Sequence, residues 1–173
     1  MLVAGACGAD DRPDPHAASA KAQAAAAEPV RLEATAPANG WGEGIAWQEF
    51  EPGKQKAAEL GRPLMLVVHA SWCKSCRALK PTFHEADFTE LSHEFVMVNV
   101  DQDQMPAIQS YGPDGTYVPR IMFFNENGEL ASDITNSNNP RYRYYYSPKD
   151  DLMGRMRDAL AKVNAADAVQ GRG

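Results

Sequence analysis

The run Leu64-Met65-Leu66-Val67-Val68-His69-Ala70 is apolar almost throughout, and sequence of helical composition takes over directly after it. A short continuous apolar run of this kind predicts a β-strand buried on both faces, and such a strand needs cover on each side of its sheet. The flanking segments supply that cover. "PGKQKAAELGRP" before the strand reads as a helix of about two to three turns, ended by Gly61 as a C-terminal cap and by Pro63. "CKSCRALKPTFHEA" after it carries a proline inside, so a helix kinked at Pro81 is expected. "EFVMVNVD" is a second buried strand, and "VPRIMFFN" and "GELASDIT" are two more, joined by the hairpin-type turn "NENG". Ser147 as cap, Pro148 at the first helical position and Asp150 completing a capping box open a last helix. Leu152, Met153, Met156, Leu160 and Val163 form its apolar stripe. This order of elements predicts an α/β sandwich with a mixed central sheet.

The chain of 173 residues, 44% hydrophobic, can bury one core of ordinary size. A net charge of −6 gives no support to a nucleic-acid groove or a polybasic membrane patch, so no nucleic-acid partner is expected. No run of about 18 apolar residues occurs, so no transmembrane helix is expected. Composition divides the chain into residues 1–38, an Ala- and Pro-rich leader and disordered tether, a folded domain over 39–166, and a flexible tail over 167–173. "MLVAGAC" resembles the end of a bacterial lipoprotein signal, with Cys7 as the residue for lipidation, although a basic region and a full-length apolar stretch are missing. A lipid anchor at the cell envelope is the corresponding expectation.

Three cysteines are too few for a disulfide-stapled scaffold, so the pair Cys73 and Cys76 reads as redox or metal chemistry. Cys73 falls where the buried strand hands over to a helix, near unsatisfied N–H groups and the positive helix end, and Lys74 adds a positive charge. Both favour the thiolate. Cys76 lies one helical turn on, within reach of a mixed disulfide formed at Cys73. A structural zinc site needs about four ligands, and only His69 and His84 are at hand to complete one. A purely structural bridge over so short a loop contributes little. Disulfide exchange is the leading reading, with no metal and no organic cofactor required.

Trp72-Cys73-Lys74-Ser75-Cys76 resembles the W-C-x-x-C active site of the thioredoxin superfamily, with Pro81 at the helix-kinking position and "YVPRIMFF" resembling the cis-proline segment. "GWGEGIAW", "KPTFHEADFTELSHEFVMVNV", "PDGTYVPRIMFF" and "NNPRYRYYYS" together resemble the small endoplasmic-reticulum thioredoxin-domain proteins related to the anterior-gradient proteins. The likeness covers about residues 40 to 165 and implies a thioredoxin-like three-layer sandwich. It implies Cys73 as nucleophile, Cys76 as resolving thiol, and a substrate-binding surface formed by Trp72, Val118 and Pro119. The position where thioredoxins keep a buried carboxylate for the resolving thiol is Val67 here. The reticulum members end in a retention signal, whereas this chain ends "AVQGRG", which favours a bacterial envelope or periplasmic location over the secretory-pathway lumen.

The expected function is therefore thiol–disulfide exchange with protein substrates and a partner redox system, by a monomer. The alternatives are a chaperone-like binding module using the same groove without turnover, and a metal-handling protein of the envelope. Arg120 is expected to pair with Asp101 or a loop carboxylate. The aromatics of "PRYRYYYSPKD" are expected to pack over the last helix, with a substrate-facing patch as the other reading.

Overall fold

The structure, a computed structural model, describes residues 30–170. Its elements are β1 (Trp47–Gln48), α1 (Phe50–Leu60), β2 (Leu64–His69), α2 (Lys74–Leu79), α3 (Ala86–Ser92), β3 (Val96–Asp101), β4 (Arg120–Phe124) and α4 (Leu152–Gln170). Short 3₁₀ turns cover Lys80–His84 and Pro106–Tyr111. The strands lie in the order β1-β3-β2-β4. β2 pairs in parallel with β3, Val67 opposite Asn99, and antiparallel with β4, Val67 opposite Ile121. The mixed α/β sheet is thus as the sequence predicts.

Every residue of β2 is buried, and strand alternation sends its side chains to two cores. Met65 and Val67 join Met97, Ile121 and Phe123 beneath α2, α3 and α4. Leu64, Leu66 and Val68 join Val96, Val98 and Met122 beneath α1 and the 106–111 turn. Helices on both faces make the three-layer sandwich. Gly61, in the left-handed region at φ 61°, ends α1 as expected for a C-terminal glycine.

Three local expectations change. The helix after Cys73 is broken rather than kinked: α2 stops at Leu79, and Lys80–His84 runs as 3₁₀ before α3 begins. Pro81 brings no N–H to the ladder and its ring crowds the carbonyl four residues back, and here the regular helix stops short of it. "GELASDIT" is not a strand; Leu130 alone bridges to Phe124. Past the Asn125–Gly128 turn, Ile134 N–H donates to Ala131 O, and the chain leaves the sheet edge to bury Ile134. Ser147 and Asp150 make only half of a capping box: Ser147 N–H and Oγ–H both donate to Asp150 Oδ2, at 2.8 and 2.7 Å, while Asp150 N–H donates to the main-chain Ser147 O. They close a turn ahead of the helix, and Asp151 caps α4 by accepting from Gly154 N–H at 2.8 Å. Residues 31–38 belong to the packed unit. Thr35 and Ala36 N–H both donate to Trp47 O, at 2.8 and 3.0 Å, and Ala38 is buried. At the other end α4 continues beyond residue 166 to Gln170.

Candidate active site

β2 ends at His69, and the chain turns through Ala70, Ser71 and Trp72 into α2. Two bonds tie the turn: Cys73 N–H to Ala70 O at 3.2 Å, and Arg77 Nη1 to Ser71 O at 3.1 Å. Cys73 is the N-cap of α2, with extended backbone at φ −70° and ψ 111°. Its Sγ accepts from Cys76 N–H at 3.0 Å, the role that a serine or aspartate oxygen fills at other helix starts. Because α2 has only six residues, this local amide, rather than a long helix dipole, is the group that acts on the sulfur.

Cys73 and Cys76 are joined as a disulfide, with Cα atoms 5.2 Å apart. Cys73 keeps 4% of its surface exposed and Cys76 1%. Both lie in the core cluster with Met65, Val67, Leu79, Phe83 and Ile121. Val67 is fully buried there, and the buried side chains among the described residues include no aspartate or glutamate. The buried ionisable groups near the sheet are instead His69 and Arg120.

The Val118–Pro119 peptide is cis, and Val118 O lies 3.6 Å from Cys73 Sγ. The structure therefore brings Cys73, Cys76, Val118 and Pro119 together. Trp72 is adjacent but stands out from the surface at 62% exposure, its indole N–H donating to Asp103 Oδ2 at 2.8 Å. Cys7 lies outside the described residues.

Arg120 does not pair with Asp101. It is fully buried, and Nη1 donates to the carbonyls of Gly115 and Tyr117, each at 3.1 Å. Burial lowers its pKa, opposed by Tyr117 and Asp114. Its guanidinium thus holds the loop that leads into Val118. Tyr117 adds a second anchor: its hydroxyl faces both Asp114 carboxylate oxygens, at 2.8 and 2.7 Å, and accepts from Tyr144 N–H at 3.1 Å. The sequence gives no periodic signal for this anchor, because it joins two loops. His69 packs its ring 5.4 Å from that of Trp41, and Nε2 lies 3.3 Å from Asn99 Oδ1. That oxygen can only accept, so Nε2 carries the proton. Desolvation lowers the His69 pKa, partly opposed by the Asn99 bond. His84 bonds elsewhere, Nε2 lying 3.2 Å from Gly40 O, and no group of three or more His, Cys, Asp or Glu side chains among the described residues is placed to hold a metal.

The tyrosines of 142–146 divide between surfaces. Tyr146 packs with Leu152 and Met156 of α4, Tyr144 is buried in the opposite core with Phe50 and Ile108, and Tyr142 is exposed. Of these three, Tyr146 packs over the last helix.

A strand-to-helix C-x-x-C facing a cis-proline loop, on a mixed sheet covered on both faces, defines a thioredoxin-like protein, and the thioredoxin-like family profile matches residues 46–126. Among solved structures, a Thermus thermophilus thioredoxin superposes with a TM-score of 0.55 at 16% identity, covering 72% of this chain and 93% of that one. A DsbH oxidoreductase gives 0.51 at 16% identity over 82% and 98%. Anterior gradient protein 3 of Xenopus tropicalis is 38% identical over 127 residues, 70% of this chain and 76% of the relative. Anterior gradient protein 2 homolog of Homo sapiens is 35% identical over 125 residues, 70% of each chain. The chain belongs to the anterior gradient family, in agreement with the motif resemblance.

Proposed function

We propose that the domain exchanges disulfides with polypeptide substrates, with Cys73 as nucleophile and Cys76 as resolving thiol. The observation that carries this reading is the Cys76 N–H held 3.0 Å from Cys73 Sγ. A donor fixed on that sulfur stabilises negative charge there, and the thiolate is the form that attacks. In the reductive direction Cys73 thiolate attacks one sulfur of the substrate disulfide, the S–S bond breaks, and the substrate's other sulfur leaves as a thiolate. Cys76 then attacks Cys73 Sγ, its proton passing to solvent, and the substrate's remaining thiolate departs. The protein is left with the Cys73–Cys76 disulfide, two electrons having gone to the substrate; oxidation of a substrate dithiol is the reverse.

Trp72, Val118 and Pro119 form the surface the substrate meets. A partner dithiol or disulfide resets the pair, giving a protein-disulfide reductase or isomerase. Exchange of this kind suits an oxidising compartment, a bacterial envelope or a secretory lumen. The test is trapping. Reduced Cys76→Ser protein, mixed with a peptide disulfide and analysed by mass under acid quench, is expected to hold the half-peptide on Cys73. Cys73→Ser is expected to hold none. Equal trapping by both variants, or by neither, overturns the assignment.

A further inference from the structure

Trp72, Met105 and Tyr142 are all the exposed large apolar side chains of the described residues apart from Val30. Trp72 precedes Cys73, and Met105 follows two residues after Asp103, which accepts the Trp72 indole N–H. Tyr142 comes from a different loop. Its ring lies 4.8 Å from that of Tyr117, the residue before Val118, whose carbonyl oxygen is 3.6 Å from Cys73 Sγ.

Tyr142 is exposed without being loose. The Tyr117 ring beneath it is anchored by the Asp114 carboxylate and by Tyr144 N–H. Tyr142 N–H donates to Asn139 Oδ1 at 3.1 Å, and its carbonyl accepts from Tyr145 N–H at 3.0 Å. A pinned aromatic ring offers contact area at little ordering cost, which is what a recognition surface requires. Both ends of the surface carry charge of each sign. Asp101 and Asp103, the latter accepting from the indole, stand with Lys74 and Arg77 on the Trp72 side, and the Asp114 carboxylate lies under Tyr117 on the other. On the Tyr142 side the exposed Arg141 guanidinium lies 5.2 Å from the Tyr142 ring centroid, and Arg141 makes no ion pair among the described residues.

Resting on the exchange reading, we propose that Tyr142 and Arg141 form a substrate-selecting wall facing Trp72 across Cys73. The occupant is an extended polypeptide whose cysteine carries an apolar side chain toward Trp72 and a carboxylate toward Arg141. In the reaction Cys73 thiolate attacks the peptide cysteine sulfur, and the group disulfide-bonded to it leaves as a thiolate. Cys76 then displaces the peptide thiolate, closing the Cys73–Cys76 disulfide.

The test uses the full reduced chain and a synthetic ten-residue peptide whose single cysteine is disulfide-linked to glutathione. The peptide carries phenylalanine on one side of the cysteine and aspartate on the other; a matched peptide has lysine for aspartate. Oxidised glutathione is the small reference disulfide, and the readout is the ratio of the peptide rate constant to the glutathione rate constant. Tyr142→Ala is expected to lower that ratio about tenfold, the loss of one aromatic contact, while Tyr142→Phe retains it. The wild type is expected to prefer the aspartate peptide over the lysine peptide about threefold, and Arg141→Gln to erase that preference. Unchanged ratios in Tyr142→Ala overturn the proposal while leaving exchange intact. Failure of the wild type to react even with oxidised glutathione instead overturns the exchange reading beneath it. A dimer in sedimentation that Tyr142→Ala dissociates would give this face to a second copy and overturn the polypeptide assignment.

Discussion

Arg120 stands directly after the cis-proline, fully buried, with Nη1 turned to two loop carbonyls, Nε and Nη2 without a hydrogen-bond partner, and no carboxylate within ion-pair distance among the described residues. Removing it leaves Gly115 O and Tyr117 O without that donor and opens a cavity. Arg120→Ala is expected to cost about 3 kcal/mol in urea unfolding and to slow Cys73 exchange as the Val118 loop loosens. His69 makes a prediction in pH. Burial holds its folded pKa below the ordinary 6.5, Lys80 reinforcing and Asp101 opposing. The folded state then binds fewer protons than the unfolded chain. Its contribution is complete above about pH 6.5 and is lost as pH falls through the lower folded value, at up to about 1.4 kcal/mol per pH unit. Urea midpoints between pH 7.5 and 5 are expected to fall, and His69→Gln to flatten that fall. At this scale the cysteines were legible because their spacing and their place after a buried strand are covalent facts. The acceptors of Arg120 were not, since they are main-chain atoms of a loop whose path only the folded structure defines.

The segment 39–46 shows how an element without regular structure supports the site. Gly42 has φ 96°, and a Cβ there would overlap Phe83 O, while Trp47 Nε1–H donates to Gly42 O at 3.1 Å. Gly42→Ala therefore combines backbone strain with a clash against main chain, and is expected to cost about 3 kcal/mol, read as a lower thermal midpoint. Phe83 belongs to the 3₁₀ turn after α2 and contacts Trp41, with ring centroids 4.9 Å apart. Loosening this loop is thus expected to reach the helix that carries Cys76. The strands β2, β3 and β4 were legible because continuous apolar runs leave few other structures. The ends of elements were less so. The break at Pro81 comes from the proline's own backbone, which reads equally as a kink or a stop, and the cap passing from Ser147 to Asp151 and the loss of a strand after Leu130 turn on which of several nearby partners a backbone N–H takes.

For the whole molecule, sheet order places β2 at the centre, flanked by β3 and β4, so the turn that launches Cys73 is supported on both sides. Cover from α1 on one face and from α2, α3 and α4 on the other leaves the C-terminal end of β2 facing the Val118 loop. The three-layer class was legible from the order of elements, whereas the packing of residues 31–38 along β1 was hidden by their tether-like composition. The most direct measurement is the reduction potential of the Cys73–Cys76 pair in the full chain, equilibrated in glutathione buffers and counted by alkylation and mass. A single reversible two-electron transition between about −270 and −120 mV is expected of an exchange couple. A pair that stays oxidised below about −300 mV would be a structural bridge, and that result, or a pair that never closes in this range, would contradict the account.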